Sequence, residues 1–238
     1  MEEHAATPSA SRLAADLVAG TDVGAFEPEL RSWLSASPRF RAFAGDHAAK
    51  LHKKLRGASD ADALRDVRLE VLVARSLLAE RRVELAWEPF GARQGGPDFT
   101  VTLPGSRVTT LEVTRLRRPA SLVEPGIPWL AKLRQLPPGV PNVLVIAIDG
   151  PDAAALDVAT SVRLVRARAD ARDEAFLAAR GFADGRAFYD RFLRLGAVIV
   201  LAQEAANGER AVEWVNGSAR IAVPPAVLRA SLAGLRSG

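Results

Sequence analysis

An α/β fold is predicted by three observations. Residues 60–82 carry apolar side chains at helical spacing, and residues 98–115 alternate with period two about a Pro104-Gly105-Ser106 turn. Residues 143–148 and 197–202 are short, uninterrupted apolar runs separated by helical stretches. Runs of this kind are strands covered on both faces, and strands alternating with helices build a sheet with parallel members.

The elements follow in order. Residues 1–22, rich in Ala and Ser, read as a loose N-terminal arm with one short helix over 11–19. From 27 to 56, Leu30, Trp33, Leu34, Phe40, Phe43, Leu51 and Leu55 recur at helical spacing, interrupted at Ser37-Pro38, which predicts two or three short helices. Ser59 is a candidate N-cap for a long helix to about Arg82, with Asp60 and Asp62 suited to its first turn. At about 100° per residue its apolar arc holds Val67, Val71, Ala74, Leu77 and Leu78, and Glu70 falls near the centre of that arc. A carboxylate there needs a partner.

A strand over 83–90 and a glycine-rich loop over 91–96 lead into the hairpin. Period two sets Phe99, Val101, Leu103, Leu111 and Val113 toward a core, and Asp98, Thr100, Thr102, Thr110, Glu112 and Thr114 away from it. If the turn closes about Gly105, positions summing to about 210 face each other, which sets Asp98 against Glu112 at a Cβ separation of roughly 5 Å. Two carboxylates that close repel unless water or a cation lies between them, and a hard divalent cation is the usual solution. Beyond Pro119 the pattern predicts a short helix over 129–136, stopped by Pro137-Pro138-Gly139, and the buried strand 143–148. Helices over 153–168 and 172–195, broken around 181–185, precede the strand 197–202, an edge strand over 210–215 and a terminal helix over 225–235.

With 238 residues, 48% hydrophobic and 25% charged, the chain suits one well-buried domain plus an extension: a helical segment over 1–57 and an α/β domain over 58–238. No apolar run reaches the roughly 18 residues of a membrane span, and the acidic, polar start is unlike a signal peptide, so a cytoplasmic location is expected. The absence of cysteine excludes disulfides, thiolate nucleophiles and zinc-cysteine sites. Net charge is only +4, and a GC-rich coding sequence would account for the abundance of Arg beside Ala, Gly and Pro, so charge alone does not point to nucleic acid.

A long helix with an embedded acid, then a strand, a strand opening Pro97-Asp98, a strand carrying Glu112, a short helix and a buried strand: this order resembles the α-β-β-β-α-β core of the PD-(D/E)xK nuclease superfamily, the restriction-endonuclease-like fold, over about 60–149. The chain also resembles a large group of uncharacterised bacterial proteins through Ala49-Lys50-Leu51-His52-Lys53-Lys54-Leu55-Arg56, Leu111-Glu112-Val113-Thr114-Arg115 and Trp214-Val215-Asn216-Gly217-Ser218-Ala219-Arg220. The superfamily resemblance implies Mg²⁺ or Mn²⁺ held by Asp98 and Glu112, with Glu70 as auxiliary acid, and phosphodiester hydrolysis of nucleic acid. The superfamily's lysine, two residues after the Glu, is Thr114 here. Lys132, on the short helix that follows, is the candidate replacement, with Gln135 one turn on. Arg115 shares parity with Val113 and should point away from the pair, whereas Arg118 has the right parity.

Each residue also has a plainer reading. Asp98 can punctuate a turn, Glu112 can be an exposed strand residue, Glu70 can be a buried acid paired to an arginine, and Lys132 a solvated helix residue. The 91–96 loop lacks the Gly-Lys-Ser/Thr of a P-loop, and His47 and His52 are off the i, i+4 spacing of a shared metal face. Lys50, Lys53, Lys54 and Arg56 form the densest basic run, suited either to phosphates or to a solvated face. Three functions follow: a Mg²⁺- or Mn²⁺-dependent nuclease; a catalytically degenerate module that binds nucleic acid or a partner protein; and a scaffold presenting Trp33, Phe40 and Phe43 as an exposed apolar face.

Overall fold

In the computed structural model, residues 9–89, 96–116, 128–149, 157–204 and 208–236 are described. Within 91–96, only Gly96 is among them, and Arg118 lies outside them. The chain divides into two units, residues 1–81 and 82–238. The long helix therefore groups with the helices before it, and the boundary falls later than the expected 57/58.

The N-terminal unit is helical. Ser9 caps α1 (Ala10–Val18), whose Leu13, Ala14 and Leu17 are buried. This segment is thus a packed helix, because three apolar residues on one face suffice to dock it; His52 Nδ1 meets the Leu17 carbonyl at 3.0 Å. Three further helices follow as expected, α2 (Phe26–Ala36), α3 (Pro38–Asp46) and α4 (Ala48–Gly57), with Ser37 capping α3 and Pro38 at its first position. Trp33 and Phe40 are 8% and 1% exposed and Phe43 is half-buried, which weakens the reading of an exposed apolar face that a scaffold would present. The long helix, α5 (Ala61–Leu78), is capped by Asp60 and not by Ser59: Asp60 Oδ1 accepts from the Ala63 amide at 2.7 Å. On α5, Arg68 forks onto Glu29 through two 2.6 Å bonds, and Arg68 and Arg75 both lie over the Trp33 ring.

The second unit is an α/β sheet of six strands in the order β1-β2-β3-β4-β5-β6. The strands are β1 (Glu84–Trp87), β2 (Phe99–Thr102), β3 (Thr109–Leu116), β4 (Asn142–Asp149), β5 (Leu195–Glu204) and β6 (Gly208–Val215). β1, β2 and β3 run antiparallel in turn, β4 and β5 are parallel to β3, and β6 closes antiparallel. Phe99 pairs with Leu111 and Thr100 with Thr110, the register expected from closure about Gly105, whose φ of 73° suits a residue without Cβ. A 3₁₀ helix (Pro128–Gln135) leads from β3 to β4, and α6 (Val158–Asp170), α7 (Glu174–Ala178) and α8 (Gly185–Phe192) lead from β4 to β5. α9 (Pro225–Arg236) packs on β6.

One face of the sheet is covered by the 3₁₀ helix, α6 and α8: Leu116, Leu144, Ile146, Ile148, Val198 and Val200 meet Trp129, Leu133, Val162, Val165, Phe188 and Phe192. That is the face of Thr110 and Glu112, so the expectation that the hairpin's polar residues stand outside the core fails on β3. Thr110 and Glu112 are buried because β3 is a central strand with a parallel neighbour and helical cover, whereas Thr100 and Thr102 on β2 are half-buried. Asn142 locks the start of β4: its amide nitrogen donates to the carbonyls of Pro137, Val140 and Arg194 at 2.9–3.0 Å, and its Oδ1 accepts from Thr110 Oγ1 at 2.5 Å. Asn216, in the segment singled out from the sequence, does the same after β6, donating to the Phe192 and Leu195 carbonyls and accepting from the Ser218 amide. No helix among the described residues is long and apolar enough to cross a membrane.

Candidate functional site

β2 begins at Phe99, so the sheet offers no strand carbonyl to the next amide of β3. Asp98 supplies the acceptor instead: its Oδ2 takes the Val113 amide hydrogen at 2.7 Å. The turn-punctuation reading of Asp98 is therefore partly right, since this carboxylate extends the ladder by one bond while standing at the strand end.

Glu112 is the next carboxylate in the row. The β2–β3 register continued by one step places it opposite Asp98, and the β3–β4 register sets it beside Leu144. Its side chain is 3% exposed, which excludes the exposed-strand reading. A buried carboxylate beside leucine requires a compensating charge, and Lys132 provides it, its Nζ donating to Glu112 Oε1 at 2.7 Å. The 3₁₀ helix aims the lysine. Trp129, Leu130, Leu133 and Leu136 are buried, Trp129 Nε1 donates to Ser161 Oγ at 3.3 Å, and Lys132 is held between these anchors over β3. Its side chain keeps 30% exposure, so the ammonium meets both Glu112 and solvent. Thr114, at the superfamily's lysine position, pairs in register with Ile146 and stays half-buried. Arg115 has the opposite parity from Glu112, as expected, and is buried.

A third acid joins the row from β1. The Glu88 amide donates to the Asp98 carbonyl at 2.6 Å, extending the β1–β2 register by one residue past Trp87 and Phe99. Glu88 and Asp98 present carboxylate oxygens within 4.8 Å of each other. Glu88 also has φ of 47°, a left-handed backbone that costs a residue with a side chain about 1–2 kcal/mol. The sequence contained a signal for it: a hairpin closing about residue 93, inside the glycine-rich loop, faces position 88 with position 98.

Glu70 lies in the N-terminal unit, where Lys54 Nζ donates to its Oε2 at 2.6 Å. The sequence reading that an acid in that arc needs a partner is satisfied by a lysine from the basic run, not by an arginine.

A divalent cation binds carboxylate oxygens at about 2.0–2.6 Å, so two ligand oxygens of one ion lie no more than about 5 Å apart. The Glu88–Asp98 spacing meets that limit, and a donor set made only of carboxylate oxygen suits Mg²⁺ or Mn²⁺ over a softer metal. No protein-family model, curated protein or solved structure matches this chain.

Proposed function

We propose that the chain is a Mg²⁺- or Mn²⁺-dependent phosphodiesterase acting on nucleic acid, built on a PD-(D/E)xK-like core in which Lys132 replaces the lysine absent at Thr114. The observation that supports it most directly is the Lys132–Glu112 bond: a lysine from another element reaches a buried acid on the strand next to Asp98. Asp98, with Glu88 beside it, would hold the cation, and Glu112 is the further ligand that the superfamily resemblance implies. Bound there, a divalent cation would supply charge neutralisation on a phosphate and lower the pKa of a bound water.

The chain's own groups do the rest. Asp98, fixed by the Val113 amide, is a rigid acceptor whose orientation does not depend on solvent. Lys132 has three donors; one serves Glu112, and its partial exposure lets another reach a phosphate oxygen and offset the charge that accumulates on it. The half-buried edge of the row at Asp98 and Lys132 admits substrate, whereas Glu112 beneath it is shielded from water.

The test is cleavage of labelled single- and double-stranded DNA and RNA with Mg²⁺ or Mn²⁺, comparing wild type with Asp98→Asn and Lys132→Met. Metal-dependent cleavage lost in both variants supports the reading; wild-type protein that binds Mn²⁺ in calorimetry and cuts none of the substrates overturns it. That second outcome would favour a nuclease-like module that binds without cutting, the reading suggested by Thr114. Glu70→Gln tests the auxiliary role expected of that acid: reduced ion affinity supports it, and unchanged affinity assigns Glu70 to its bond with Lys54.

A further inference from the structure

α4 has an all-cationic outer face that the proposed chemistry does not use. Its sequence, Ala-Ala-Lys-Leu-His-Lys-Lys-Leu-Arg-Gly, contains no acid, and Leu51 and Leu55 are the residues it buries. At about 100° per residue, Lys53 points directly opposite the midpoint of those leucines, with Lys50 and Arg56 about 60° to either side. Lys53 and Arg56 are exposed and Lys50 is half-buried. Among the described residues, neither Lys53 nor Arg56 enters an ion pair. The pattern differs from the other charged helix surfaces of this unit, where Arg31 meets Glu27, Arg65 meets Asp62 and Arg68 meets Glu29. Lys54, the remaining cation of the run, turns inward to Glu70.

We infer that the Lys50–Lys53–Arg56 face of α4 docks the phosphate backbone of a nucleic acid. The three cations rise about 9 Å along the helix axis, a span over which one DNA strand presents about three phosphates. Ala49 and Gly57, both exposed on the same side, leave room for a backbone to approach. The face holds no Trp, Phe or Leu, so it lacks the apolar side chains with which a membrane-surface helix enters a bilayer. The choice of nucleic acid over an acidic protein rests on the phosphodiesterase reading; the cationic face itself does not.

The experiment is fluorescence anisotropy of a labelled DNA duplex of about 20 base pairs in EDTA, so that binding is read without metal or cleavage. Wild type is compared with a Lys50→Gln/Lys53→Gln/Arg56→Gln variant, glutamine being chosen because it keeps helix propensity. Three phosphate contacts contribute about 2.7 to the slope of log affinity against log salt, or about 40-fold over a fourfold salt change. The inference expects wild-type binding with that component and its loss in the variant at unchanged thermal midpoint. Should the triple variant fail to fold, Lys53→Gln and Arg56→Gln are read singly, each lowering the slope by about 0.9. No wild-type binding, equal slopes in wild type and variant, or tighter binding to phosphatidylserine vesicles than to the duplex would each overturn it. Salt-dependent binding without metal-dependent cleavage would defeat the phosphodiesterase reading alone, and cleavage with an unchanged slope would defeat the α4 inference alone.

Discussion

Replacing Lys132 by methionine removes one ammonium and leaves most of the side-chain volume. Glu112 then keeps its position, 3% exposed beside Leu144, without the 2.7 Å bond that compensates its charge. Removing one partner of a fully buried ion pair costs about 3–5 kcal/mol. Lys132 is 30% exposed, so water takes over part of its role, and we discount the cost to about 2 kcal/mol. For a unit of this size that corresponds to a thermal midpoint lower by about 4–8 °C. The assay is urea and thermal denaturation in EDTA, followed by the same measurement with Mn²⁺. If the carboxylates hold the cation, Mn²⁺ at about 100 times its dissociation constant restores about 2.7 kcal/mol to the variant. Asp98→Asn should gain much less. A Lys132→Met protein within about 0.5 kcal/mol of wild type in EDTA would refute the argument, because it would mean that Glu112 is not desolvated as its burial implies.

Other outcomes follow from the same geometry. Asp98→Ala removes the acceptor of the Val113 amide and should cost about 1–2 kcal/mol more than Asp98→Asn, which retains it; equal denaturation midpoints would show that the bond contributes nothing. Glu88→Gly relieves a left-handed backbone, so stability should stay within about 1 kcal/mol of wild type while Mn²⁺ affinity falls in calorimetry. Asn142→Leu strands three carbonyls and the Thr110 hydroxyl and should cost about 3 kcal/mol or more by urea denaturation. Burial, with Lys50 adding to it and Asp46 opposing, holds the His47 pKa below its ordinary value, so the folded state favours neutral imidazole. The contribution of His47 to stability is then complete above the unfolded-state value near 6.5 and is lost as pH falls through the lowered folded-state value. His47→Gln should accordingly flatten the acid side of a midpoint-against-pH curve relative to wild type.

The elements most legible in the sequence were those whose periodicity is unbroken and whose ends are marked. The hairpin register about Gly105, the strands β4 and β5, and the break between α7 and α8 all follow from local pattern and turn chemistry. The alternation that puts Thr110 and Glu112 on one face of β3 follows in the same way, because a two-residue period fixes which side chains share a face.

The sequence by itself thus determined which residues of the hairpin share a face, but it did not single out Glu88, the acid whose carboxylate lies within 4.8 Å of that of Asp98. It did not determine what covers that face, and for that reason Glu112 was read as pointing out of the core when it is buried within it. Burial depends on elements distant in sequence: β4 beside β3 and the 3₁₀ helix above it. The same distance hid the partner choices. Lys132 meets Glu112 across 20 positions and Lys54 meets Glu70 across 16, and no local spacing rule reaches that far. Periodicity constrains a side chain's direction, but which charge it neutralises is decided only when folding brings two elements together and removes the water that would otherwise have served.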